Sequence, residues 1–337
     1  MHIDASALRS LADERGLSWP HLVSSIEQAL LVAYHHTDGS FRDARVELDV
    51  DKGQFTVWAI DPDDAVNSDG SPREFDDTPD DFGRIAANTA RNVLMQRLRE
   101  SDDNATIADF QGREGDIVSG VIQQSSDPRD IKVDLGSVEG VIPASEQVPA
   151  DSYEHGTRIK AVLTTIKKGP KGPEFILSRT HPELVRNLFR LESPEIADRT
   201  VEIVSIAREA GHRSKIAVKS NDPSVNAKGA CIGPNGQRAR AVTTELQGEK
   251  IDIVDWDEDP AVFVANALSP AKVTRVEVID EETKSAWVEV PDYQLSLAIG
   301  REGQNARLAA RLTGWRIDIH SDSENQESDQ DSGSPEA

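Results

Sequence analysis

The sequence predicts a multidomain α+β protein in which an N-terminal α+β domain precedes a five-stranded β-barrel and two copies of one α/β unit. Its 337 residues exceed the usual size of a single compact core. Short strand patterns crowd the middle of the chain, and the pattern Ile-Gly-x-x-Gly occurs twice, at 232–236 and 299–303, inside a repeated run of elements. The chain is therefore expected to fold as several modules.

The first 110 residues predict two helices, a hairpin and a third helix. Residues 1–36 place apolar side chains at helical spacing, and residues 44–60 alternate as two strands around a turn at 51–53. After an acidic loop over 61–81, a helical pattern returns at 82–100. The domain holds 22 acidic residues against 10 basic ones. Two interpretations of this charge stay open: it suits a basic protein partner better than RNA, or it only keeps the domain soluble.

Residues 112–180 predict a small barrel. Five strand patterns separated by turns occupy 117–122, 131–135, 140–142, 158–166 and 175–178. The sequences Gly115–Val121 and Val133–Pro143 resemble the S1 domain, an OB-fold barrel that binds RNA. OB-folds usually stack bases on aromatic side chains, and 131–142 contains none. Two interpretations stay open: the barrel contacts RNA, or it is a spacer that positions its neighbours.

Two α/β units are expected to follow, over 183–270 and 271–320. In each, a strand leads to a short helix, a Gly-x-x-Gly turn, a second helix and a strand, and Ile-Asp-Ile recurs in both final strands. A lone Gly-x-x-Gly is common as a tight turn between helices. This layout, however, is that of a type II KH domain, whose loop clamps the backbone of about four single-stranded nucleotides. Joined only by 257–285, in which 263–268 predicts a helix, the two units are expected to form one track for about eight nucleotides.

Three kinds of residue are expected to contact RNA. Glycines let the main chain approach a phosphate, the next helix offers amide groups, and polar or basic side chains add hydrogen bonds and charge. The predicted site residues are the glycines Gly233, Gly236, Gly300 and Gly303, the loop residues Pro234, Asn235, Arg301 and Glu302, the cations Lys215, Lys228, Arg238 and Arg240, and the amides Gln237, Gln304 and Asn305. Residues 206–240 hold seven bases against two acids, so the first unit is expected to contribute more electrostatics and the second more shape.

Composition excludes several kinds of site and predicts the compartment. Cys231 is the only cysteine, so neither an intramolecular disulfide nor a cysteine-based zinc cluster can form, and the thiol is expected to be buried. No catalytic constellation, metal site or cofactor motif is found. The net charge is −23, and the tail 321–337, with six acids and no base, is expected to be disordered. Lacking a signal-peptide pattern or a long apolar run, the protein is expected to be cytoplasmic, with no membrane association.

Four segments carry a family resemblance. Ser178–Pro182, Pro194–Ile196, Ala207–Val218 and Leu295–Asn305 resemble the NusA family of bacterial transcription termination/antitermination factors. The resemblance implies a monomeric, non-enzymatic factor whose first domain docks on the RNA polymerase core near the RNA exit channel. The barrel and the KH units would hold single-stranded nascent RNA and influence pausing, termination and antitermination. Other antitermination factors and ribosomal proteins are the further partners that it implies.

Two alternatives remain open at this level. One is a translation or ribosome-assembly factor, because such factors use the same RNA-binding modules. The other is an RNA-processing enzyme, against which the missing catalytic constellation argues.

Overall fold

The computed structural model describes residues 9–10, 12–13, 18–49, 52, 54–60, 73–80, 82–125, 129–169 and 172–323. The chain divides into two compact units, Met1–Gln111 with Lys168–Pro173, and Gly112–Lys167 with Glu174–Ala337. Among the described residues, no helix has the length and apolar character required to cross a membrane. The same residues contain no cluster of histidine, cysteine and carboxylate side chains that could hold a metal ion.

In the described part of the first unit, helices pack against a three-stranded antiparallel sheet. Its elements are α1 (Trp19–Tyr34), β1 (Ala44–Asp49), β2 (Gln54–Ile60), β3 (Glu74–Asp76) and α2 (Phe82–Phe110). The sheet order is β1-β2-β3, and the register of β1 on β2 begins with Ala44 opposite Ala59. Buried side chains of α1 and α2, such as Ile26 and Phe82, form one core with Val46 and Val57 of the sheet. The predicted hairpin strands are therefore confirmed.

Two parts of this unit differ from the sequence prediction. Helix α2 continues ten residues beyond Glu100, because 101–110 contains no glycine or proline to stop it. The segment 74–76, predicted as loop, forms strand β3, which is too short to show an alternating pattern. The first predicted helix lies mostly outside the described residues, as do 61–72 of the acidic loop.

The predicted barrel is confirmed as a closed five-stranded structure. Its strands are β4 (Ile117–Gln123), β5 (Ile131–Asp134), β6 (Glu139–Ile142), β7 (Arg158–Gly169) and β8 (Gly172–Ser178), in the order β4-β5-β6-β8-β7. Alternate residues such as Val118, Ile122, Val133 and Phe175 are buried. The alternation in the sequence therefore follows the inward and outward faces of the barrel wall.

The first α/β unit of the repeat is built on a three-stranded mixed sheet. Its elements are α3 (Glu183–Glu192), α4 (Pro194–Ala197), β9 (Val201–Glu209), β10 (Arg213–Ser220), α5 (Ala227–Ile232), α6 (Gln237–Glu245) and β11 (Lys250–Asp255). Strand β10 lies in the centre, antiparallel to β9 and parallel to β11. The helices cover one face of the sheet, where Phe189, Ile216 and Val242 share a core.

The second α/β unit has the same topology. Its elements are α7 (Pro260–Ala267), β12 (Arg275–Asp280), β13 (Ser285–Val290), α8 (Asp292–Ile299), α9 (Gln304–Thr313) and β14 (Arg316–Ser321). Strand β13 is antiparallel to β12 and parallel to β14. The segment 257–285, expected to connect the units through a helix at 263–268, contains that helix as α7 and also the unpredicted strand β12. These elements complete the second unit, because Val264 of α7 packs in one core with Val288 of β13.

Shared cores join the barrel and the two α/β units. Val162 of β7 lies in the core of the first unit, and Ala217 of β10 lies in the core of the second. The buried guanidinium of Arg179 donates to the Asp151 carboxylate at 2.7 Å, and also to the carbonyls of Lys160 at 2.9 Å and Glu245 at 3.0 Å. One side chain thereby connects the barrel to the end of α6.

Candidate nucleic-acid interface

The two Gly-x-x-Gly turns have the same backbone conformation. In the first, φ is 72° at Gly233, 49° at Asn235 and 74° at Gly236. In the second, φ is 75° at Gly300, 54° at Glu302 and 73° at Gly303. In each turn, the amide of the last glycine donates to the carbonyl of the first at 3.1 Å. The sequence repeat therefore produces a repeat in three dimensions.

Glycine is required at the first position of each turn for two reasons. Its φ lies in the left-handed region, which L residues with a Cβ rarely adopt. A Cβ on Gly233 would also lie 2.5 Å from Cγ of Arg238, and a Cβ on Gly300 would lie 2.8 Å from the backbone nitrogen of Asn305. The turn can pass this close to the following helix only without a side chain.

Each turn leads directly into the helix that follows it. Gly236 is the N-cap of α6 and Gly303 is the N-cap of α9, and neither helix has a side-chain hydrogen bond at its cap. An uncapped helix N-terminus carries free N–H donors and the positive end of the helix dipole. The two turns thus present amide groups suited to a phosphate.

Arg238 and Asn305, predicted to contact RNA, are internal braces at the same position of the repeat. Arg238 donates to the Ala230 carbonyl at 2.6 Å and to the Glu195 carboxylate at 2.7 Å. Asn305, which is 3% exposed, donates through one amide nitrogen to the carbonyls of Leu268, Leu297 and Ala298. Each brace ties the start of the second helix to the end of the helix before the turn.

A second pair of equivalent arginines donates hydrogen bonds to the backbone carbonyls of the turns. Arg240 donates to the carbonyls of Asn235 and Gly236. Arg307, 67 residues further on, donates to the Glu302 carbonyl at 3.1 Å. Both arginines are exposed. Arg307 is missing from the predicted set, although the offset that relates the two turns also relates it to Arg240.

Lys215 does not lie at this surface, which corrects the sequence-based expectation. Its side chain is fully buried, and Nζ donates to the Ser269 carbonyl at 2.6 Å and lies 3.0 Å from the Asp252 carboxylate. Burial lowers the pKa of Lys215, and the nearby Asp252 charge opposes that shift. Because the Lys215 side chain is fully buried between these two partners, its ammonium joins the two α/β units and cannot reach a phosphate.

The remaining predicted residues lie on or near the turns. Arg301 and Glu302 expose 93% and 81% of their side chains and pair loosely at 3.6 Å. The ammonium of Lys228, whose side chain is 40% exposed, is 3.3 Å from Asp255. Pro234, Asn235 and Gln237 are exposed, whereas Gln304 is half-buried because it donates to Glu209 at 2.9 Å.

The basic stretch 206–240 is largely neutralised inside the protein. Six of its seven cations pair with carboxylates: Arg208 with Glu249, Arg213 and Lys215 with Asp252, Lys219 with Glu202, Lys228 with Asp255, and Arg238 with Glu195. Charge counted along the sequence is therefore not charge at the surface. In the second unit Arg301, Arg307 and Arg311 are exposed but also lie within 4.0 Å of carboxylates, so the expected division, in which the first unit supplies most of the electrostatics, stays a prediction.

Apolar side chains are exposed on the helices that precede the turns. Ile232 at the end of α5 is 40% exposed, and Ile299 at the same position of α8 is 39% exposed. Helix α8 also exposes Leu297 and, by 79%, Tyr293. Apolar and aromatic surface beside a phosphate-binding turn can accept nucleotide bases.

The cysteine and the tryptophans of the repeat serve packing. Cys231 is fully buried, as expected, and burial raises its pKa to about 12, so the thiol stays protonated near neutral pH. Trp256 and Trp315 pack against the core of the second unit. Trp287 stacks on His320 with ring centroids 5.6 Å apart.

Comparisons with known proteins agree with this architecture. Residues 5–62 match the NusA N-terminal domain, 179–256 the NusA-like first KH domain and 260–327 the NusA-like second KH domain. The chain is similar to three proteins named transcription termination/antitermination protein NusA. It is 57% identical to that of Mycobacterium tuberculosis (96% of this chain, 94% of that one), 46% to that of Bacillus subtilis (95% and 91%) and 39% to that of Thermus thermophilus (93% and 88%).

Proposed function

The chain belongs to the NusA family of transcription termination/antitermination proteins, and from this premise we propose how it works. It docks on the RNA polymerase core through residues 1–110, near the RNA exit channel. It holds single-stranded nascent RNA on the surface of its barrel and two KH domains. By positioning that RNA it modulates pausing, termination and antitermination, without catalysing a reaction.

The pair of Gly-x-x-Gly turns is the observation that carries this proposal. Both turns have the same φ pattern, and both lead into a helix with uncapped amide groups. A KH loop of this kind clamps about four nucleotides, so two loops joined through a shared core suit a continuous strand of about eight. Arg240, Arg301 and Arg307 supply exposed positive charge at the turns.

The RNA backbone and the bases use different parts of this surface. Phosphates lie against the turn amides and the exposed guanidinium groups. Bases lie on the apolar faces of the preceding helices, at Ile232 in the first domain and at Tyr293, Leu297 and Ile299 in the second. Because phosphate contacts release counterions, the affinity should fall as the salt concentration rises.

Docking on RNA polymerase is proposed for the first unit on two grounds. Residues 5–62 match the N-terminal domain of the NusA family, whose members act in transcription. The acidic excess of residues 1–110 suits a basic protein surface better than RNA. Other antitermination factors and ribosomal proteins are proposed as further partners in the same complex, in which the chain acts as a monomer in the cytoplasm.

The RNA-binding proposal is tested by changing Pro234 and Asn235 together to Asp. Two new anions at the first turn should weaken binding of single-stranded RNA about tenfold, measured by fluorescence anisotropy. Both side chains are exposed and outside the core, and Asp tolerates the left-handed conformation of Asn235, so thermal unfolding should stay nearly unchanged. Unaltered affinity would refute the assignment of this turn.

The polymerase proposal is tested by affinity capture from a lysate. The full chain should retain RNA polymerase, whereas the chain shortened to residues 112–337 should lose it. Capture of ribosomal particles alone, equally by both chains, would instead favour a factor for translation or ribosome assembly.

A further inference from the structure

Glu209 lies where the two KH domains meet. It is the last residue of β9 in the first domain, and its side chain is 18% exposed. One carboxylate oxygen accepts from Nε of Arg307 at 2.6 Å, and the other accepts from Nε2 of Gln304 at 2.9 Å. The Arg307 hydrogen bond holds the pKa of Glu209 below its usual value, although partial burial opposes that shift, so the group is an anion near neutral pH. A carboxylate of the first domain thus holds the helix that follows the second turn.

Arg307 connects Glu209 to the second turn itself. While its Nε donates to Glu209, its terminal nitrogen donates to the Glu302 carbonyl at 3.1 Å. A planar guanidinium fixes the direction of both hydrogen bonds at once. The orientation of a backbone group in the second turn is therefore set from the first domain.

The first turn is held differently. Arg240 donates to the carbonyls of Asn235 and Gly236, and within the described residues no carboxylate pairs with it. The residue with positive φ in that turn is Asn235, a type that tolerates the left-handed region. In the second turn the same conformation falls on Glu302, a residue type that adopts it less readily. The second turn is the one that needs outside support.

We propose that Glu209 is a positioning residue for RNA binding by the second KH domain, acting through Arg307 on the conformation of the second turn. The inference rests on the proposed function and deepens it, because it makes RNA binding at one domain depend on a side chain of the other. It also gives Gln304 a role: this predicted RNA contact instead helps to hold α9 on β9.

The direction in which Glu209→Gln changes the RNA affinity distinguishes a positioning role from an electrostatic one. Glu209→Gln removes a negative charge beside a phosphate-binding turn, which by charge alone should tighten RNA binding. If Glu209 positions the turn, the full chain should instead bind a labelled, unstructured RNA of about 12 nucleotides about fivefold more weakly. Fluorescence anisotropy measures the change. Glu202→Gln is the matched control, since Glu202 lies on the same strand, pairs with Lys219 and should leave the affinity unchanged.

A second variant keeps the charge and removes only the connection. Arg307→Lys retains a cation, but an ammonium cannot reproduce the two hydrogen bonds that the guanidinium donates in fixed directions. It should weaken binding of the same RNA by a similar factor. A purely structural role would lower the thermal stability of both variants without changing their RNA affinity, and that result would overturn the proposal.

Coupling to the second turn completes the test. In the background of Arg301→Asp, which disables the second turn, Glu209→Gln should have no further effect. In the background of the double change of Pro234 and Asn235 to Asp, its effect should persist. Unchanged or tighter binding by Glu209→Gln and Arg307→Lys, with normal binding by the unaltered protein, would overturn this inference alone. Failure of the unaltered protein to bind the RNA would overturn the proposed function as well.

Discussion

The two KH domains differ most in what covers the outer face of their sheets. In the first domain, Ala217 and Val254 pair across β10 and β11 and are buried in the core of the second domain. In the second domain, the corresponding pair across β13 and β14 is Glu289 and His320, both partly exposed. A repeated unit that docks a neighbour has a small apolar face. The outer face of the first sheet is therefore a docking face, whereas that of the second sheet is polar.

The domains also reach one turn conformation with different side chains. The brace is Arg238 paired with Glu195 in the first domain, and a buried Asn305 in the second. The residue with positive φ is Asn235 in one turn and Glu302 in the other. What is repeated is the backbone, and different hydrogen-bonding groups suffice to hold it.

The largest expected effect comes from giving the first sheet face the polarity of the second. Ala217→Glu would place a carboxylate in a fully buried apolar contact and should lower the free energy of unfolding by about 4 kcal/mol. Urea denaturation measures it. The matched change Glu289→Ala, at the corresponding position, should alter stability by only about 0.5 kcal/mol. Similar values for the two variants would refute the distinction between a docking face and a polar face.

A buried ion pair gives the first domain a sensitivity to acid. Glu249 and Arg208 expose 1% and 2% of their side chains and lie 2.9 Å apart, and Glu249 also accepts from Ser214 and Gly211. Burial alone would raise the pKa of Glu249, but these donors hold it below its usual value. At the corresponding position the second domain has Trp315, which packs in its core. Glu249→Gln should cost about 3 kcal/mol of stability at neutral pH.

The direction of the pH dependence follows from that lowered pKa. The stabilisation is complete above the unfolded-state pKa of about 4.3 and is lost as the pH falls below it, through the folded-state pKa. Hydrogen exchange under acidic conditions should therefore show the amides of β10 losing protection before those of β13. In Glu249→Gln this difference should shrink. Equal loss of protection in the two sheets of the unaltered protein would contradict the assignment.

Much of the fold could be predicted because it depends on local sequence patterns. Alternating side chains identify the barrel strands, and a turn in which three residues have positive φ needs the glycines that mark it. The order of elements around Gly233 and Gly300 was then sufficient to predict a KH layout. Local signals indicated a helix within α7 but not strand β12, and only packing against β13 shows that both belong to the second domain.

The sequence alone does not show which cations are buried and which lie at the surface. Lys215 and Arg240 look alike in the sequence, yet one is fully buried against Asp252 and Ser269 while the other is exposed at a turn. The difference depends on which face of β10 the second domain covers, a fact of tertiary structure. Arg238 and Asn305 were misjudged for the same reason, because the carbonyls that they hold are near them only after folding.

The first glycines of the turns should differ in their tolerance of a methyl group. In Gly300→Ala the new Cβ meets the backbone of Asn305, which cannot move without distorting α9, and we expect a loss of about 2 kcal/mol. In Gly233→Ala it meets the side chain of Arg238, which can shift, so the loss should be about 1 kcal/mol. Thermal unfolding of the two variants measures the difference. The reverse order would show that the Arg238 brace is the more rigid one.

The smallest expected effect comes from giving the second turn the residue found in the first. Glu302→Asn removes an exposed anion and places a residue that tolerates positive φ, so RNA affinity should rise about twofold to threefold at low salt. The reciprocal Asn235→Glu should weaken binding by a similar factor. Anisotropy titrations at two salt concentrations measure both changes, which should diminish together at the higher salt.

The same variant connects this comparison to the support from Glu209. With Asn at position 302, the second turn no longer needs an outside contact to keep its conformation. In the Glu302→Asn background, Glu209→Gln should therefore weaken RNA binding less than it does in the unaltered chain. An undiminished effect of Glu209→Gln would mean that Glu209 acts on α9 as a whole and not on the residue with positive φ. The two turns would then differ in how their helices are held, and the conformational cost at Glu302 would play no part in the difference.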